Sequence, residues 1–275
     1  MNRSLERLYD FVRENLLAAD GCDEFIAFME ERLAKEKEPG PDSLANLPLW
    51  VHKSVGGDLD PALAVATAWQ LVYMAAQIFD DIEDRDSDEA LWREIGEPRA
   101  INLGVGLWAA SQLSLLRLRS CVEEELLLDI LCHFNLAIFQ MCGGQHLDLT
   151  SPLSPGMSPS LSCAGQTQRT GCSGGEKASL ECYWKMAAAK SGEFFRLICR
   201  CEALLGSCPT TDVEAFAEYG YNLGILLQLH NDYGGLWPPS EGSPYPSTID
   251  RTGDLSRRKL TLPIAYALSL DSPDV

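Results

Sequence analysis

The chain is predicted to be all-α, a helical bundle, and three observations predict it. Apolar residues recur at helical spacing through most of the length. Val and Ile do not gather into the alternating runs that mark strands. The breaks between periodic stretches carry Pro, Gly and Asp, which stop or start helices. Helical periodicity runs over residues 4–18 and 22–37, after which Pro39-Gly40-Pro41 interrupts it. Asp60-Pro61 then reads as an N-cap with Pro at the first helical position, opening a long helix to Asp84. Further helices fit 98–118, 121–149, 179–205, 211–231 and 256–270. Residues 151–179 differ, being rich in Ser, Gly and Pro, and read as a flexible insertion. With 275 residues, 46% of them hydrophobic, the chain can bury one large core, so a single domain over 1–275 is expected.

Charge and cysteine usage narrow the function. A formal net charge of -18 excludes non-specific nucleic-acid binding, since no basic stripe is present to neutralise phosphates. An anionic substrate would need metal ions or a few local cations to be held at all. Apolar stretches of 18 or more residues are broken by polar ones, so no membrane span is expected. The start, Met1-Asn2-Arg3-Ser4-Leu5-Glu6-Arg7, leads into an amphipathic helix, and a cytoplasmic location is expected. The ten cysteines form no CxxC pair and the four histidines are scattered, which argues against zinc. Reduced thiols are expected, with Cys132, Cys142 and Cys199 packing as small hydrophobes and Cys163 and Cys172 more exposed.

The chemistry concentrates where apolar helices end in acids. The run from Ala62 to Phe79 leads into Asp80-Asp81-Ile82-Glu83-Asp84-Arg85-Asp86. A helix C-terminus carries partial negative charge, so carboxylates are disfavoured there unless a cation joins them. Asp80 and Asp84 share a face one turn apart, with Asp81 about 100° round. That oxygen-rich set suits Mg²⁺; the other reading is a solvated acidic turn. A second apolar run, Ala215 to Leu229, ends in His230-Asn231-Asp232-Tyr233-Gly234-Gly235. There Gln228 and Asp232 share a face at i,i+4.

At these residues the chain resembles class I isoprenoid synthases, specifically the trans-polyprenyl diphosphate synthases. Asp80-Asp81-x-x-Asp84 matches their first aspartate-rich motif, and Gly144-Gln145-x-x-Asp148-Leu149 matches a GQxxDL helix. Tyr183 to Ser191, with Lys190, matches the segment whose lysine binds allylic diphosphate. Tyr219-Gly220 to Gly224, followed by Gln228, Asn231 and Asp232, matches the second metal motif, and Asp254 to Pro263, with Lys259, the closing lysine segment. The resemblance implies a helical bundle around a central apolar cavity and a homodimer. It implies about three Mg²⁺ ions, with Asp80, Asp84, Asn231, Asp232 and Asp148 as ligands. Asp80, Asp81, Asp84, Lys190 and Gln228 are then the catalytic set. Lys190, Gln228, Lys259, Gln145 and Tyr73 would meet a prenyl diphosphate.

The departures shape the expected reaction. The early Gly-Lys-x-x-Arg-Pro segment that binds isopentenyl diphosphate is replaced by Leu49 to Gly57, and the Arg pair after the first motif is missing. Tyr73 stands where a His is expected, and Asn231 and Gly235 replace two acids of the second motif. Asn still offers Mg²⁺ a carbonyl oxygen. Each lost charge-assisted contact costs about 1.5–3 kcal/mol, so losing several removes orders of magnitude in affinity for a second diphosphate. The expected function is therefore terpene-synthase-like, with one allylic diphosphate ionised and cyclised or quenched without isopentenyl diphosphate. The alternatives are a prenyltransferase using isopentenyl diphosphate or another acceptor, and a non-catalytic partner subunit. Trp69, Tyr73, Phe79 and Trp108 are candidates to stabilise a carbocation, or to pack the core.

Overall fold

The structure, a computed structural model, describes residues 23–35, 43–85, 90–150, 175–206, 208–236 and 259–270. Among these residues there is no strand, and the all-α expectation holds. In chain order the helices are α1 (Asp23–Lys35), α2 (Leu47–Val55), α3 (Leu59–Asp84), α4 (Leu91–Ile95), α5 (Glu97–Leu116), α6 (Glu124–Leu149), α7 (Gly175–Ala187), α8 (Glu193–Leu205), α9 (Thr210–Leu236) and α10 (Leu262–Leu268). The chain divides into two compact units, Met1–Asn135 with Leu197–Tyr219, and Leu136–Arg196 with Gly220–Val275.

In the first unit, α3 and α5 form the core pair. Leu71, Ala75, Ile78 and Ile82 of α3 recur at three- and four-residue spacing and meet Ala100, Leu103, Leu107 and Ala110 of α5. Met29 of α1 closes the same cluster. The Ser114 hydroxyl donates to the Ala64 carbonyl at 2.8 Å, which satisfies a buried polar group and ties the two helices. The long helix begins two residues earlier than the Asp60-Pro61 signal suggests, with Asp58 as N-cap. Pro61 is tolerated because the first helical N–H groups have no intrahelical acceptor.

A buried acid lies elsewhere in this unit. Glu202 of α8 is fully buried, and its carboxylate stands 3.4 Å from Nδ1 of His52 on α2. Burial pushes Glu202 up to about 7 against the pull of His52. The His52 imidazole is in turn raised, chiefly by Glu202 and against its own burial.

In the second unit, Tyr183, Met186 and Ala187 of α7 pack on Leu260 and Ala265, with Ile225 and Leu229 of α9 alongside. The stretch predicted as one helix over 179–205 is broken: Ala188–Gly192 adopts a π turn between α7 and α8. Residues 151–174 of the expected insertion, the helix at 4–18, Pro39 to Pro41 and Cys163 and Cys172 lie outside the described residues; residues 175–179 are helical, not insertion.

One expectation about apolar stretches needs correction. Cys199 is buried, but Cys132 and Cys142 are exposed, because both lie on outward faces of α6. All seven described cysteines are free thiols. By length and composition α3 and α6 are each apolar enough to cross a bilayer. For α3 the apolarity is used up in the protein core, 72% of the window being buried, whereas only 22% is buried in α6.

Candidate functional site

The acid cluster sits at the C-terminal end of α3. Asp80, Asp81 and Asp84 are half-buried there, and the last turn holds no basic residue. Burial raises the Asp81 carboxyl above its ordinary range, and the charges of Asp80 and Asp84 push it further. That mutual repulsion is what a divalent cation would relieve. The helix ends sharply at Arg85, whose backbone is left-handed at φ 55°. The Asp81 carbonyl accepts from both the Arg85 N–H and the Trp92 indole, each at 3.0 Å, so the helix end is held in place. The Arg85 guanidinium meets Glu97 at 3.1 Å and lies over the Trp92 ring. Two turns earlier, Tyr73 is 38% exposed; it accepts from the Gln77 amide at 3.3 Å and stacks on buried Trp69. Phe79 packs against the core, and Trp108 is exposed.

The second unit carries the other predicted residues on α6, the π turn, α9 and the strand-like approach to α10. A π turn widens the helix by one residue, is rare, and is often found at functional sites. Two glycines pack closely against it. A Cβ on Gly144 of α6 would stand 2.6 Å from the Lys190 backbone N, and one on Gly224 of α9 would clash with the Ser191 carbonyl. The motif glycines let both helices approach the turn backbone closely. Lys190 then reaches Asp148 of α6, Nζ to Oδ2 at 3.0 Å. Asp148, expected as a metal ligand, is thus placed as the partner of the lysine.

Gln228 is engaged at both ends. Its Oε1 accepts from the Ser191 hydroxyl at 2.8 Å and its Nε2 donates to Asp232 Oδ1 at 3.0 Å. The other oxygen of Asp232 accepts the Leu262 N–H at 2.9 Å. Asp232 is 5% exposed, and burial raises its carboxyl against the opposing pull of Tyr183, the Leu262 N–H and Gln228. The Tyr183 hydroxyl faces the same carboxylate, and its burial there keeps the phenol protonated. Asn231 is exposed, while Gln145 and Lys259 are half-buried. Ser191 and Tyr183 join this set, and the sequence marks them only by their place beside Lys190 in one segment.

Among the described residues no three acidic, His or Cys side chains already converge as a metal site. The first unit offers oxygen donors in the α3 carboxylates and the second, by itself, offers the Asn231 amide, and oxygen donors are the kind Mg²⁺ takes.

A family model described as polyprenyl synthetase matches residues 46–275. Tryptophan prenyltransferase ComQ of Bacillus subtilis subsp. natto is 28% identical over 241 residues, covering 86% of this chain and 64% of that protein. Geranylgeranyl diphosphate synthase of Mycobacterium tuberculosis is 26% identical over 218 residues, covering 78% of this chain and 54% of its own. The chain thus spans a little over half to under two thirds of these relatives. Geranylgeranyl pyrophosphate synthetase of Pyrococcus horikoshii has a similar fold, with a TM-score of 0.71 at 19% identity over 99% of this chain and 77% of that one. Polyprenyl synthetase of Streptomyces coelicolor gives a TM-score of 0.70 at 20% identity, covering 98% and 76%.

Proposed function

The chain belongs to the polyprenyl synthetase family, and on that premise we propose that it is a Mg²⁺-dependent prenyltransferase which ionises an allylic prenyl diphosphate and transfers the prenyl group to an acceptor other than isopentenyl diphosphate. One contrast carries this reading. The ionising residues Asp80, Asp81, Asp84, Lys190 and Gln228 are present, and the cations expected to bind a second diphosphate are not. A relative that prenylates tryptophan supports an acceptor that brings no diphosphate. The matching relatives are transferases, which moves the reading from the cyclisation suggested by the missing cations to transfer.

The allylic C1–O bond breaks with its electron pair leaving on the diphosphate. A π pair of the acceptor forms the new bond to carbon, and the acceptor then loses a proton. Bound Mg²⁺, in a number the oxygen donors do not specify, supplies neutralising charge for the departing diphosphate. Asp80, Asp84 and Asn231 are its proposed ligands. Lys190, held by Asp148 and the π turn, donates to the diphosphate, and Lys259 adds a second cation. Gln145 and Tyr73 line the substrate in this reading. Cyclisation is the second reading, favoured by the same missing cations. A non-catalytic subunit is disfavoured because it would have no need to retain the acids and Lys190.

A homodimer is also proposed. Leu128, Leu136 and Phe139 of α6 are 57%, 51% and 77% exposed, an apolar stripe that a second copy would cover.

Product analysis decides among these. The protein is incubated with geranyl, farnesyl and geranylgeranyl diphosphates, each alone, with isopentenyl diphosphate, and with an indole-bearing peptide. A prenylated peptide is expected. A longer diphosphate would show chain elongation, hydrocarbons without acceptor would show cyclisation, and no turnover in any mixture would show a non-catalytic chain.

A further inference from the structure

We infer that Asp232 is a positioning residue and not a metal ligand: it latches the segment Leu260–Leu262 onto α9 and links that segment, through Gln228 and Ser191, to the π turn that carries Lys190. The inference rests on the proposed function for the role of Lys190 and Lys259, and on geometry alone for the latch.

The geometry is a relay. Leu262 N–H donates to Oδ2 of Asp232 at 2.9 Å, Gln228 Nε2 donates to Oδ1 at 3.0 Å, and Ser191 Oγ donates to Gln228 Oε1 at 2.8 Å. Each carboxylate oxygen therefore already has a protein donor. The residue is 5% exposed, whereas neighbouring Asn231 is exposed. Each oxygen keeps a second lone pair, but at 5% exposure the carboxylate presents little open surface to an ion, and its two protein donors hold it toward Leu262 and Gln228. The first N–H groups of a helix lack intrahelical acceptors, and Leu262 is the first residue of α10, so the carboxylate supplies what the helix start needs. Cap Thr261 makes no side-chain bond of its own there. Lys259 is three residues from the latched amide, so fixing Leu262 limits where its ammonium can reach.

The test separates the latch from metal binding. Amide hydrogen exchange at Leu262 is measured in the wild type, Asp232→Ala and Asp232→Asn. Mg²⁺ binding in the presence of inorganic pyrophosphate is titrated calorimetrically in the same proteins and in Asp80→Ala. Exchange at Leu262 is expected to accelerate roughly tenfold or more in Asp232→Ala, the loss of a charge-assisted bond. Asp232→Asn keeps one acceptor and is expected to restore most of the protection. Mg²⁺ affinity is expected to stay within about threefold in Asp232→Asn and also in Asp232→Ala, which offers no side-chain oxygen, while Asp80→Ala abolishes it. A tenfold or larger loss of Mg²⁺ affinity in either Asp232 variant overturns the inference, as does unchanged Leu262 exchange in Asp232→Ala. If the wild type itself binds no Mg²⁺ with pyrophosphate, the proposed function fails, and the exchange result still decides the latch.

Discussion

Adjacent glycines on α6 give opposite predictions for the same substitution. A Cβ on Gly143 meets nothing within 4 Å, whereas one on Gly144 would stand 2.6 Å from Lys190 N and 3.0 Å from Ala189 C and Lys190 Cα. Both lie inside a helix, where Ala is favoured over Gly by about 0.5–1 kcal/mol. Gly143→Ala should therefore stabilise by about that amount. At Gly144 the neighbours are backbone atoms of the π turn, which cannot rotate aside. Overpacking costs about 1–3 kcal/mol, and a rigid backbone neighbour places this case near the top, so Gly144→Ala should destabilise by about 2 kcal/mol net. For a chain of this size that corresponds to a fall of roughly 4–8 °C in Tm, against a rise of a few degrees for Gly143→Ala. Displacing the turn also moves Lys190 from Asp148 and Ser191 from Gln228, so turnover should fall in the first variant and not in the second. Calorimetric melts and initial rates on the two proteins test this. Equal melting points, or an active and stable Gly144→Ala protein, would refute the account of the π turn as a clamped element.

The remaining predictions concern separate parts of the molecule. Glu202 holds its proton up to about 7 in the folded chain but near 4.5 when unfolded, and His52 is raised above 6.5. Both groups therefore bind protons more tightly when folded, so their contribution is complete below about pH 4.5 and is lost as pH rises past 7. Urea melts should show the wild type losing of order 2 kcal/mol between pH 5 and 8, a slope that Glu202→Gln flattens; an equal slope in that variant would contradict the assignment. Lys190→Ala should lower kcat about 100-fold or more in diphosphate-release assays, the usual effect of removing one donor to a developing anion, and Asp148→Asn should lower it less; unchanged rates in Lys190→Ala would remove the lysine from the mechanism. Phe139→Glu should convert a dimer to a monomer in light-scattering measurements while leaving the far-UV spectrum unchanged, and a wild-type monomer would remove the proposed role of the α6 stripe.

Much of this was legible in the chain because its signals are local. The acids from Asp80 to Asp84 stand at a helix end, where they are electrostatically out of place, and the apolar spacing that predicts α3 also builds its core. Helix boundaries at Leu149 and Leu205 follow directly from where periodicity stops. What escaped depends on contacts between residues far apart in sequence. The π turn has no local signal: it lies where Gly144 and Gly224, distant along the chain, come close to one backbone segment. Asp232 reads as a metal-motif acid beside Asn231, and only the fold turns it toward Leu262. Asp148 and Lys190 lie 42 residues apart, and only the fold brings them within 3.0 Å of one another. Cys132 and Cys142 sit in an apolar run whose outward side the periodicity could not identify.

Release of inorganic diphosphate from an allylic substrate tests the central claim most directly. The wild type and Asp80→Ala are compared on geranyl, farnesyl and geranylgeranyl diphosphates, with Mg²⁺ and with a chelator. The account predicts release by the wild type with Mg²⁺ on at least one of them, and none with chelator or in a folded Asp80→Ala protein. Release that persists in the chelator or in that variant, or no release from any of the three by the wild type, would contradict it.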